Sequence, residues 1–313
     1  MARSPDPNSP APHFLPLVSA LALALFLPAP APAQAAPPAI TDSAALVRRA
    51  IANHLAAEAA HHPQRFVLHK KDDRHDYTQA IIETRQGDVA LAIAANGKPL
   101  NADLHQAQID RLNVLDTHPE LQEHRHKREQ EDAARADKLM RMLPDAFLYQ
   151  YEDLVPCAVA VSPNTPNSAS SSPPADAPPA SDCYHLTFKP NPAWNPPDIE
   201  SKILRGMAGE AWIEKSQERL TRLSAQLITD VDFGWGIVGH LDKGGTVFLE
   251  QSEMTPHNWE LSRMKLNFTG KALLVKSLNI HLTEEMANYS PVPRDLDYHK
   301  AIQMLESDPP PHK

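Results

Sequence analysis

TVFLEQSE at residues 246–253, HNWELSRMKLNF at 257–268 and KALLVKSLNIHLT at 271–283 form one nearly continuous stretch, and its period decides the fold. In the last segment Ala272, Leu274, Leu278, Ile280 and Leu282 alternate with Leu273, Val275, Ser277, Asn279 and His281. A period of two over that length marks strands rather than helices. Upstream, AGEAWIEK (208–215) reads as a strand, Ser216-Gln217 as a turn, and 219–229 as a long strand. There Leu223, Ala225, Leu227, Val231 and Phe233 share one face, while Arg222, Ser224 and Gln226 share the other. Between these strands and residue 246 lies FGWGIVGHLDKGG (233–245), which holds five of the ten glycines and reads as a wide, flexible bend.

Further out the pattern changes twice. Residues 66–69, 77–84 and 88–94 are short strands, with Gln86-Gly87 and Asn96-Gly97 as turns. Residues 41–61, 101–115 and 119–143 are helices. The first carries Leu46, Val47, Ala50, Ile51, His54 and Leu55 at three- and four-residue steps, with Thr41 or Asp42 to cap it and Pro63 to stop it. The third is heavily charged, and its apolar stripe is thin, so most of it is expected in solvent. Strands at 147–151 and 184–188 follow, then a Pro/Asn-rich connector (189–197) and a short helix within 198–207. Some nine or ten strands do not alternate one-for-one with helices, so a parallel βαβ architecture is disfavoured. The expected class is α+β: one strongly curved antiparallel sheet, a half-barrel, with helices covering its concave face.

Two features concern the compartment. The apolar run LPLVSALALALFL (15–27), followed by Ala33-Gln34-Ala35, has the form of a cleavable secretory signal peptide, although Arg3 is offset by Asp6 in the n-region. The run is shorter than the roughly 20 residues a membrane helix needs. Cleavage is expected near Ala35, with a periplasmic product. Cys157 and Cys183 are the two cysteines, and they flank a segment with no side chain larger than Pro, Asn or Asp at 162–181. Such a segment cannot bury enough surface to order itself. Two cysteines at its ends, in an oxidising compartment, point to a disulfide at the loop base; a thiol pair for metal or redox work is the alternative. The expected organisation is a signal peptide at 1–35, a first half of the half-barrel at 36–161, a disordered loop at 162–181, a second half at 182–290, and a flexible Pro-rich tail at 291–313.

This order of elements resembles the lipoprotein-carrier superfamily of the Gram-negative periplasm, the LolA/LolB-like half-barrels. The resemblance rests on the leader and N-terminal helix, the strands at 66–94, the helical interruption at 101–143, the segment GEAWIEKSQERLTRLSAQL (209–227) and the closing pair HNWELSRMKLNFTGKALLVK (257–276). It covers roughly residues 45–290 as a pattern of elements, without a signature motif. The charged helix 119–143, the insert 162–181 and the bend 233–245 depart from it. The resemblance implies a cavity that holds acyl chains or another apolar ligand, in lipid or lipoprotein handling.

The candidate lining residues are Trp212, Phe233, Trp235, Phe248, Trp259 and Phe268, with ordinary core as the competing reading for most of them. Trp235, between two glycines, is either a mobile lid or a packed plug. His118, His124 and His126 lack the i, i+4 spacing of helix-borne metal ligands, and no metal site or cofactor is expected. No G-x-S-x-G and no P-loop order occurs, so no catalytic residue is assigned. Asp230 and Asp232 could serve a hydrolase or a cation, but such pairs more often cap a strand entering a loop. A net charge of −9 with interspersed signs argues against nucleic acid. The sequence thus reads as an exported, non-enzymatic protein that binds a hydrophobic ligand or lipid. The alternative is an envelope interaction protein that presents the same sheet surface to a protein partner.

Overall fold

The computed structural model describes residues 42–157, 181–233, 239–255, 258–272 and 276–307. Among them thirteen strands form one antiparallel sheet, accompanied by four α-helices and one 3-10 helix. The chain opens with α1 (Ser43–Ala59), capped by Asp42, whose carboxylate accepts from the Ala45 amide at 2.8 Å. A first meander follows: β1 (Gln64–Lys71), β2 (Asp76–Ile82), β3 (Val89–Ala95) and the two-residue β4 (Lys98–Pro99). Asn101 caps α2 (Ala102–Thr117), and Pro119 starts α3 (Pro119–Ala146) at the position where its missing N–H is harmless. Then come β5 (Phe147–Pro156), β6 (Asp182–Pro190), the 3-10 helix η1 (Glu200–Gly206), β7 (Met207–Glu214) and β8 (Arg219–Leu227). The remainder is β9 (Val231–Phe233), β10 (Gly239–Leu241), β11 (Thr246–Thr255), β12 (Asn258–Ala272), β13 (Lys276–Pro291) and α4 (Tyr298–Glu306).

The strand order is β4-β3-β2-β1-β13-β12-β11-β8-β7-β6-β5, and the sheet is open, with β4 and β5 at its edges. Pairing of β1 with β13 joins the first and last strands of the chain. The glycine-rich bend contributes a small hairpin, β9 with β10, and β10 adds to the end of β12. Close approach is built in at Gly209, where a Cβ would stand 2.0 Å from the Ser224 carbonyl oxygen across the β7–β8 pair. The disulfide is present: Cys157 and Cys183 are bonded with Cα atoms 4.9 Å apart, one at the end of β5 and the other in β6. Closing that loop stabilises the fold by about 3 kcal/mol in the chain-entropy model. It also fits an oxidising, exported compartment. The expected leader and nearly all of the expected loop fall outside the described residues. No described helix is long and apolar enough to cross a membrane.

The helices pack at the two ends of the sheet and on opposite faces. α1 lays Leu46, Val47, Ala50 and Ile51 on Leu186 of β6 and Ile213 of β7, and the C-terminal part of α3 joins this core through Met140 and Leu143. α2 and α4 pack Leu112, Leu115, Ile302 and Leu305 on Ala80, Ile82, Val89 and Leu91 of β2 and β3. Followed strand by strand, the register places Ala80 on the face opposite Ile213. The expectation of helices confined to one, concave face is therefore corrected: β2 and β3 carry apolar side chains on the other face and need their own cover. The tail also differs from expectation. Residues 298–306 form α4, whose Ala301, Ile302 and Leu305 are fully buried. The prolines at 291 and 293 shape the approach to α4, and Asp297 caps it by accepting from the Lys300 amide at 2.8 Å.

Candidate functional site: an apolar sheet face ending in a buried polar cluster

Strand alternation and register sort the central side chains onto two faces. On one face Leu223, Leu249 and Met264 lie in cross-strand register, and the next row is Ala225, Val247, Leu266 and Leu282. Leu68 of β1 and Met286 of β13 extend this face. All but the buried Ala225 are half-buried. This apolar field is bounded by the Lys70–Glu284 ion pair at 2.7 Å.

The opposite face of the same strands is a charged ladder. His185, Trp212, Arg222, Glu250, Arg263, Glu285 and His69 stand opposite one another in turn, from β6 to β1. His185 stacks on Trp212 with ring centroids 4.9 Å apart, and Arg222 lies over the same indole at 5.4 Å. Arg222 donates to Glu250, Arg263 lies 3.8 Å from Glu250 and 3.4 Å from Glu285, and His69 meets Glu285 at 3.8 Å and Asp76 at 2.9 Å. Each charge has a neighbour of opposite sign. A cavity of about 50 Å³ between Trp212, Arg222, Glu250 and Pro156 lies on this face and is polar.

The six aromatic candidates do not build one wall. Trp212 and Phe248 belong to the charged face, where both underlie Arg222. Phe268 is buried on the apolar face, opposite Ile280, and Phe233 packs into that same core. Trp259 sits at the start of β12, away from both groups. Trp235 lies outside the described residues. The sequence reading pooled residues whose parity along the strands differs; counting by two from Val247 would have assigned Phe248 to the outer face. Asp230 accepts from the Lys243 amide at 2.7 Å and Asp232 bonds His240 at 2.8 Å, so both are occupied at the mouth of the β9–β10 hairpin. His118 is tied to Thr117 and the Val114 carbonyl, and His126 to Gln130, while His124 is exposed.

Where the apolar field reaches the ends of β8, β11 and β12, it gives way to a polar cluster beneath the C-terminal half of α1. His54 is buried on the packed face of α1 and bonds Gln251 of β11 at 3.3 Å; Leu249 and Gln251 follow one another on that side of the strand. Burial lowers the pKa of His54, so it is held neutral. His61 bonds Glu83 at 2.7 Å and lies 3.8 Å from Glu260. The Glu83 bond raises the His61 pKa to about 9, which keeps the imidazolium charged. Burial raises the pKa of Glu260 and lowers that of Arg219. Arg219 is positioned by the β7–β8 turn: Glu218 takes a left-handed φ of +47° and is held by Arg49 of α1 at 2.7 and 2.8 Å. Sequence reasoning missed this cluster. Its one visible signal was His54, a polar residue on an otherwise apolar helical stripe. Among the described residues no group of histidines, cysteines and carboxylates is arranged to hold a metal ion.

No protein-family model matches this chain, and no curated protein matches it. One solved structure is similar: a DUF1329 family protein from Desulfovibrio piger, at 10% identity and a TM-score of 0.27, over 80% of this chain and 94% of that one. A likeness at that level does not bear on function.

Proposed function

We propose that the protein is an exported, non-enzymatic carrier that accommodates a hydrophobic ligand, an acyl chain or lipid, on the apolar face of β8, β11, β12, β13 and β1. One observation carries the reading. Five adjacent strands present aliphatic side chains on one face; α1 packs on its β8 end, where Leu223, Val247 and Leu266 join the core that α3 and η1 also enter, while among the described residues no helix packs closely on β11, β12, β13 or β1. A contiguous apolar field left half-buried is what a ligand or partner covers. Flexible Met264 and Met286 within it suit ligands of variable shape. The charged face suits this role less well, because its charges are already matched to one another. The disulfide and the leader-like N-terminus support an oxidising site of action, the periplasm on this reading.

The test is equilibrium binding of a fluorescent fatty acid to the purified full chain. Displaceable binding at micromolar concentration is expected. Replacing Leu249 and Leu282 together by Asn is expected to weaken it at least tenfold with the fold retained. Absence of displaceable binding, or indifference to that double substitution, would overturn the proposal.

A further inference from the structure

α3 is a long helix with little beneath its middle. Its 28 residues run about 42 Å. Near its C-terminus Met140 and Leu143 pack on Leu186 of β6 and Ile213 of β7, which share the face of Leu223. Its N-terminal half is held at the other end of the sheet, on the turn between β2 and β3. In the sheet order β1, β13, β12, β11 and β8 lie between these anchors, and residues 130–136 are exposed on every side of the helix. The hold on the turn is specific. Gln122, 1% exposed, donates from Nε2 to the Gln86 carbonyl at 2.9 Å. Arg125 donates to the Asp88 carbonyl at 3.3 Å, and Glu129 accepts from the Asp88 amide at 3.2 Å. Gly87 takes a left-handed φ of +100°, and a Cβ there would stand 2.8 Å from Glu129 Oε2 and 2.9 Å from the His126 Cβ, so the helix seats directly on the turn.

One group in this seat is at odds with it. Asp88 is half-buried, and its carboxyl has no hydrogen-bond donor among the described residues. Glu129 of α3 and Glu83 at the end of β2 face it with like charge. The cations nearby are engaged elsewhere. Arg125 bonds the Asp88 carbonyl, Arg111 of α2 donates to the Ala90 carbonyl at 3.1 Å, and His61, past α1, is paired with Glu83 and lies 3.8 Å from Glu260 of β12. His126 bonds Gln130 and lies 3.9 Å from Glu129. Burial, with Glu129 and Glu83 adding to it, raises the Asp88 pKa to about 7. We infer that this seat is a latch operated by protons: with Asp88 neutral the N-terminal half of α3 stays on the β2–β3 turn, and ionisation of Asp88 against Glu129 and Glu83 loosens it. The seated helix binds the proton more tightly than the released one, whose Asp88 returns to water. The seat is therefore tightest at acid pH and weakens as pH rises from about 4 to about 7. The inference goes beyond the carrier reading and does not need it. If that reading holds, the latch governs access to the apolar field at its β1 and β13 end.

Hydrogen–deuterium exchange of the full chain, read by mass spectrometry and corrected for intrinsic rates, tests this at about pH 5 and about pH 8. Protection of the amides in residues 122–130, taken relative to α4, is expected to fall about tenfold or more between the two. Asp88→Asn keeps the seat neutral at both pH values, so protection there should stay high and level. Equal protection of the native segment at the two pH values overturns the latch. So does a fall that survives in Asp88→Asn, which would assign the pH dependence to His126 or His61. Glu129→Gln keeps an acceptor for the Asp88 amide and removes one like charge, so the fall should shrink several-fold. That variant decides even where Asp88→Asn does not fold, and an undiminished fall in it overturns the latch. No ligand is added, so failure of the carrier reading leaves the outcome intact.

Discussion

Arg222 and Arg219 stand three residues apart on β8, and the fold treats them in opposite ways. Arg222 lies in the ladder that crosses the sheet, bonded to Glu250 and stacked over Trp212. Arg219, more deeply buried, has an Nε–H that nothing among the described residues accepts. The sequence pairs opposite charges across strand after strand in one region and omits the pairing in the other. Buried polar atoms without partners also occur elsewhere, at Gln122, Tyr298, Glu306 and at His185 of the ladder itself, so what sets Arg219 apart is that its unpartnered group is a cation.

The comparison can be broken most forcefully on the matched side. Glu250 is buried and takes hydrogen bonds from Arg222, with Arg263 close by. Glu250→Ala leaves two guanidinium groups facing an empty position, one of them only partly solvated. Removing one partner of a buried pair costs about 3 kcal/mol, discounted here to about 2–3 because the Arg222 head keeps some water. Urea unfolding should show that loss as a lower midpoint at unchanged slope. A loss below about 1 kcal/mol would mean that the ladder is a solvated surface row, and the contrast with Arg219 would lose its force.

Much of the framework was legible from residue order, because it depends on local rules. Period-two alternation located β7, β8 and β11–β13; apolar residues at three- and four-residue steps behind Thr41 or Asp42 located α1; two cysteines around a segment poor in apolar side chains located the disulfide. What stayed hidden depends on pairings distant in sequence. Nothing in residues 64–71 announces that β1 lies beside β13, and that pairing extends both the apolar field and the charged ladder. Tyr298, Ala301, Ile302 and Leu305 stand at the i, i+3, i+4, i+7 steps of a helix behind the Asp297 cap, so α4 was legible and the flanking prolines masked it; α2, β2 and β3 supply the core it packs on. Arg219 looked like one more polar strand residue. Its burial follows from α1 lying over β8, where Arg49 grips Glu218 and Asn53 bonds the Gln217 and Glu218 carbonyls. Sequence placed His54 on the buried stripe but could not place Gln251 beside it.

At the rim of the unmatched cluster, the His61–Glu83 pair sharpens the contrast through pH. The pair holds the imidazolium, so the folded pKa of about 9 stands above the ordinary value of about 6.5. A raised histidine pKa means that the native state binds the proton more tightly than the unfolded chain does. Its stabilisation is complete below about pH 6.5 and disappears as pH rises through about 9. The expected size is about 2 kcal/mol after allowance for partial exposure. Unfolding midpoints measured from pH 6 to pH 10 should fall in the native protein and flatten over that window in His61→Gln. An equal slope in both proteins would show that His61 is not bound to Glu83 as described.

The smallest expected effect on stability is the most discriminating. The native protein carries the desolvation of Arg219 as a cost, with only the distant Glu58 and Glu260 to offset it. Replacing it by a side chain of similar length and no charge removes that cost and keeps the packing. Arg219→Met is therefore expected to leave the urea unfolding free energy within about 1 kcal/mol of native, with any change toward greater stability. A structural arginine behaves otherwise: its removal lowers stability as Glu250→Ala does.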